Sequence, residues 1–112
     1  MIIFKYWFFL FFAILFEVIA SSLLKSSLGF KVAYLGFFSL LLYGVSFYIL
    51  SLVLTQIPFG IAYAIWSGVG VILVSLIGVA IYKDTISISG YIGIGVIIVG
   101  VIITCLSTLV ST

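Results

Sequence analysis

The chain has 112 residues, 67% of them apolar and 5% charged, with a mean hydropathy of +1.66. Soluble domains carry about 25% charged residues, so a water-soluble monomer is excluded, and lipid admits only helices or a closed barrel because it offers backbone groups no partners. The net charge of +2 comes from four scattered lysines, which excludes a phosphate-tracking nucleic-acid face. With no His and only Cys105, a His/Cys metal centre and an intrachain disulfide are excluded too.

The charges are Lys5, Glu17, Lys25, Lys31, Lys83 and Asp84, and their spacing delimits the spans. A spanning helix needs roughly 20 apolar residues. A first span over 4–25 is interrupted only by Glu17. From Lys31 to Lys83 the chain runs 51 residues without a charge, too long for one span and suited to two. The punctuation inside that run is Thr55-Gln56-Ile57-Pro58 followed by Gly60, and proline suits a helix start. Spans over 33–55 and 58–82 follow. A fourth lies over 88–108, with Ser87 and Ser89 as candidate N-caps. The fold is therefore read as one all-α membrane domain over 1–112 with four transmembrane helices. A transmembrane barrel, which needs short segments alternating apolar and polar, is not supported by segments apolar on every side.

The N-terminus also has signal-peptide features: Lys5 precedes a phenylalanine-rich core and Val18-Ile19-Ala20 has the form of a cleavage site. Glu17 beside that site, and the absence of a soluble segment after it, argue against cleavage within residues 1–20. With four spans, Lys25, Lys31 and Lys83 share one side of the membrane and Lys5 the other. The positive-inside rule then mildly favours cytoplasmic loops and outward termini, a bias weak enough to permit insertion both ways.

Glu17 is the one ionisable side chain deep in a span. A carboxylate at mid-membrane costs about 3 kcal/mol on insertion scales, and such residues face a protein interior or a watery cavity. The alternative is a structural Glu near the interface, but each route from Glu17 to water is long. On a helical period Ala13, Ala20, Ser21 and Leu24 share its face, and Phe11, Phe12 and Ile19 lie opposite. In the second span Tyr43, Ser46 and Leu50 make a mixed stripe. In the third, Gly60, Ala64 and Gly68 recur every four residues, a spacing that lets helices approach. Tyr63, Trp66 and Gly70 form a neighbouring stripe, and their rings suit a cation over an aromatic face. The glycines of Ser67-Gly68-Val69-Gly70 weaken the helix and suggest a bend. Gly93 and Gly100, seven apart in the fourth span, suggest a helix–helix seam, and Cys105 an inert packing residue.

These motifs resemble the small multidrug resistance family over nearly the whole chain. The stretch Phe16-Glu17-Val18-Ile19-Ala20 through Leu24-Lys25 is similar to its first-helix signature. The run from Ile57 to Gly70 is similar to its third-helix signature, and Gly93 and Gly100 to its dimerising glycine pair. The resemblance implies a proton-coupled antiporter of the bacterial inner membrane, not an enzyme, with no cofactor beyond protons as coupling ion. It implies an antiparallel, dual-topology homodimer whose two copies of Glu17 bind protons and a cationic substrate in turn. Ala13, Ala20, Ser21, Tyr43, Ser46, Phe47, Tyr63 and Trp66 would line the chamber, Gly68 and Gly70 would form the hinge, and Gly93 and Gly100 the dimer seam. Leu28 and Tyr48 depart from residues found in some members. Ala20, small where the guanidinium-exporting branch usually has Trp, leans towards bulky lipophilic or quaternary ammonium cations. A guanidinium or polyamine exporter, a heterodimer with a paired chain, a lipid-carrier flippase and a non-transporting assembly subunit are the alternatives.

Overall fold

The computed structural model describes residues 2–109, and among them every regular element is an α-helix: α1 (Ile2–Ser26), α2 (Ala33–Val53), α3 (Phe59–Ala80) and α4 (Ile88–Leu109). Each helix is long and apolar enough to cross a bilayer. The expected spans over 4–25, 33–55, 58–82 and 88–108 agree with these helices to within two residues at each end. The chain divides into two compact units, Met1–Pro58 and Phe59–Thr112, each a helical hairpin.

In the first unit the helices are joined by a turn built around Ser27, which is fully buried. Its N–H bonds to Leu23 O, its hydroxyl donates to Leu24 O at 2.6 Å, and that hydroxyl oxygen accepts the Phe30 N–H at 3.2 Å. The Ser27 carbonyl accepts the Val32 N–H at 2.9 Å. One serine thus satisfies groups on both sides of the reversal, which helix ends otherwise leave open. Leu28, Gly29 and Phe30 all have left-handed φ, at 53°, 69° and 66°. Two of them are non-glycine, a conformation costing roughly 1–2 kcal/mol per residue. The Phe30 ring offsets part of that cost. It lies over Gly36 where a Cβ would otherwise project, and meets the Phe37 ring edge-on at 5.8 Å. Gly36→Ala is therefore expected to displace the ring and lower the unfolding midpoint in detergent micelles, at an overpacking cost of about 1–3 kcal/mol. Further along, the Ser46 hydroxyl donates to the Ala13 carbonyl at 2.7 Å, tying α2 to α1, and both residues are fully buried.

The first unit ends on Pro58, placed just before α3 as a residue without a free N–H prefers. At the far end of α3, Lys83 takes a left-handed φ of 60° and the Asp84 N–H returns to Gly78 O at 2.9 Å. The Asp84 carboxylate lies over Gly78, whose missing side chain leaves it room. Ser87 caps α4, its hydroxyl oxygen accepting the Gly90 N–H at 3.2 Å. Ser89, the other candidate cap, sits inside the helix and contacts the Ser87 hydroxyl. Along their lengths α3 and α4 meet where Gly68 receives the Val101 side chain. Beside that contact an open cleft of about 360 Å³ is lined by Ala64, Gly68, Val71, Ile97, Gly100 and Val101. None of the described residues of α4 is buried.

Candidate functional site: a membrane carboxylate on a hydroxyl chain

Glu17 projects from the middle of α1, nine residues or about 14 Å of helix before its end at Ser26. The side chain is half-buried. One turn on, the Ser21 hydroxyl donates to Glu17 Oε2 at 2.7 Å. The Tyr43 hydroxyl of α2 lies 2.7 Å from the same Ser21 oxygen. A serine hydroxyl has one proton, and here it is committed to the carboxylate, so Tyr43 donates to Ser21. The order is Tyr43 O–H to Ser21 Oγ, then Ser21 O–H to Glu17. Both donors point towards the acid. Tyr43 is held in turn by stacking on Phe47, with ring centroids 6.2 Å apart and planes at 21°.

The small neighbours of Glu17 have distinct environments. Ala13 and Ala20 are fully buried. Ala13 gives its carbonyl to Ser46, so the Ser46 hydroxyl, expected on a chamber wall, is engaged in joining two helices. Ser21, Tyr43 and Phe47 are the expected residues that the fold gathers beside Glu17 or stacks upon its neighbours.

The second unit carries an aromatic row on α3. Tyr63 is exposed, its ring edge-on to Trp66 at 5.4 Å and tilted against Phe59 at 6.2 Å. Trp66 is half-buried, with its indole nitrogen covered. Phe59 extends the row beyond the two residues expected from the sequence, and its spacing of four from Tyr63 was the available signal. The helix runs unbroken through Gly68 and Gly70, both buried. At Gly93 and Gly100 nothing lies within 4 Å of where a Cβ would stand. Both glycines are exposed on α4.

Among the described residues no three of His, Cys, Asp and Glu cluster as metal ligands. What the first unit offers is one carboxylate in a helix of membrane-spanning length, held by a neutral donor that Tyr43 backs in turn. Chemically, a carboxylate of this kind can take up a proton or pair with a cation.

The chain is similar to known proteins over most of its length. The family model described as Small Multidrug Resistance protein matches residues 5–97. The chain is 44% identical over 99 residues to the quaternary ammonium compound-resistance protein QacE of Escherichia coli, covering 88% of this chain and 90% of that one. It is 43% identical over 107 residues to the quaternary ammonium compound-resistance protein QacF of Klebsiella aerogenes, covering 96% and 97%. It is 42% identical over 95 residues to the multidrug resistance protein EbrA of Bacillus atrophaeus, covering 85% and 90%.

Proposed function

The chain belongs to the small multidrug resistance family, and from that membership we propose that it exports lipophilic and quaternary ammonium cations in exchange for protons, the two competing for Glu17. As a family member it is an efflux transporter, a multi-pass protein of the bacterial inner membrane. Two of its relatives are named for resistance to quaternary ammonium compounds and one for multidrug resistance, which supports a bulky organic cation as substrate.

The observation that carries the mechanism is the Glu17 carboxylate in the middle of a membrane-spanning helix, bonded to Ser21. A charge placed there needs an opposite charge or a proton to offset its desolvation. A proton and an organic cation each do this, and each makes the other unnecessary. Cation arriving from the cytoplasm therefore expels the proton, and protons arriving from the other side expel the cation. In the same unit, Tyr43 and Phe47 supply rings for the apolar and aromatic parts of the cation.

A drug-sized site is a pocket of roughly 300–1,000 Å³ that covers most of its ligand, and the hairpin cleft of about 360 Å³ is open. We take the working form to be an antiparallel homodimer in which two copies of Glu17 share one chamber. The exposed glycines Gly93 and Gly100 of α4 support a close seam there. Exchange of shape between opposed copies then moves the chamber from one membrane face to the other, as inverted repeats do in larger transporters. Bends at Gly68 and Gly70 would serve that exchange.

The test is proton release. Adding a quaternary ammonium compound to the purified protein in weakly buffered detergent is expected to acidify the solution in a saturable way. The same titration on Glu17→Gln is expected to release nothing. Binding with no proton release from the unaltered protein would overturn the antiport reading.

A further inference from the structure

We propose that the α1–α2 turn binds anionic phospholipid, with Lys25 and Lys31 on the lipid phosphate and Leu28 sunk among the acyl chains. The inference is independent of Glu17 and of what the protein carries. The turn joins two helices of membrane-spanning length, so it lies at the membrane surface. It is held firmly. The Leu28 N–H bonds to Lys25 O at 3.3 Å, the Lys31 N–H to Leu28 O at 3.4 Å, and the Val32 N–H to the carbonyl of the buried Ser27. A turn fixed in this way also fixes what it displays. Leu28 stands outward at 65% exposure, in a left-handed conformation that strains a non-glycine residue. Beside the turn the exposed rings of Phe30 and Phe37 meet edge-on, and Tyr34 is 71% exposed in the first turn of α2. Water gives an exposed, strained leucine nothing in return, whereas acyl chains do. Tyrosine suits the headgroup level, where one end of its ring is apolar and the other wet.

Charge selects the headgroup. Lys25 and Lys31 are both exposed and flank Leu28 at three residues to either side. The one carboxylate side chain of the first unit is Glu17, eight residues or about 12 Å of helix before Lys25. The turn therefore carries two lysines and no acid to balance them. Lysine stems lie along apolar surface while their ammonium groups reach outward, which brings both charges to phosphate level above a buried Leu28. A zwitterionic headgroup carries its own cation beside the phosphate. An anionic headgroup has none, and leaves its full charge for the lysines. A second copy docked face to face on the same patch would set lysine against lysine, so the charge that favours the lipid disfavours the copy.

The test is a competition on the purified full-length protein in detergent. Equimolar dioleoylphosphatidylglycerol and dioleoylphosphatidylcholine are added, and the ratio of the two bound lipids is read by native mass spectrometry. The unaltered protein is expected to retain more phosphatidylglycerol. Lys25→Gln and Lys31→Gln are each expected to lower the ratio about fivefold, the scale of one lysine near an anionic surface. Lys5→Gln removes the same charge near the opposite end of α1 and is expected to change the ratio less. Leu28→Asn, which suits left-handed backbone, is expected to weaken both lipids by the same factor and keep the ratio. Equal retention of the two lipids by the unaltered protein would overturn the proposal. An equal fall with Lys5→Gln would reduce the preference to net charge and overturn the site. Undiminished binding of both lipids to Leu28→Asn would overturn the place given to Leu28. A constant lipid ratio in Lys31→Gln with an altered balance of monomer and dimer would assign the patch to a second copy instead.

Discussion

Glu17→Gln is expected to abolish pH-driven accumulation of a quaternary ammonium cation in proteoliposomes while leaving the protein folded and inserted. The substitution is nearly isosteric, and the new amide oxygen still accepts the Ser21 hydroxyl that now bonds to Oε2. Local geometry is therefore conserved and the charge alone is removed. With the charge goes the attraction for a cation at mid-membrane, and with the ionisable group goes the exchange of a proton. Transport is expected to fall to the background of empty vesicles. A residual accumulation that still follows the pH gradient would place the coupling site elsewhere. Glu17→Asp is the informative companion. It keeps the charge and shortens the arm by one methylene, drawing the carboxylate back from Ser21. Reduced transport with a displaced pH profile is expected.

The second large effect is expected at Gly68, where the Val101 side chain occupies the space a Cβ would need. Gly68→Val adds three carbons at a close helix crossing and is expected to keep α3 and α4 from closing, seen as a collapse in the yield of monodisperse protein. Gly68→Ala is the graded version, with an overpacking cost of about 1–3 kcal/mol. Val101→Ala removes the colliding methyls, so the double substitution is expected to be more stable than Gly68→Ala alone. That coupling, read as a double-mutant cycle of unfolding midpoints, separates two roles for one glycine. If Gly68 serves packing alone, the double substitution restores both stability and transport. If it also bends during transport, stability returns and transport stays low.

The four spans were legible because they follow from a length and a composition, which need no knowledge of how helices meet. The long charge-free run, broken at Pro58, divides into α2 and α3 on that basis. Ser87 was legible as a cap for the same local reason. What joins the helices was less so. Ser21 and Tyr43 each stand out as polar residues on an apolar helix, but their meeting depends on the register of α1 against α2. That register is set by a turn with three left-handed residues, two of them Leu28 and Phe30, and only Gly29 announces such a conformation in sequence. Ser46 shows the opposite case. Its stripe placed it beside Tyr43, yet its hydroxyl went to the Ala13 carbonyl, because an apolar surrounding presses every hydroxyl to find the nearest acceptor. Gly68 was legible both as one of a stripe of small residues that lets helices approach and as a weak point in the helix, and its immediate surroundings make it a point of contact.

The bare surface of α4 has a consequence for dosage. A helix that packs on α3 but buries none of its described residues there leaves a face for a second copy, which it meets by collision in the plane of the membrane. If the working form is a pair of copies joined there, its abundance follows mass action. At low expression, paired transporters then increase with the square of the chain concentration. Halving the gene dose would cut efflux about fourfold in that regime, and resistance would show a threshold in copy number where a one-chain pump would show a slope.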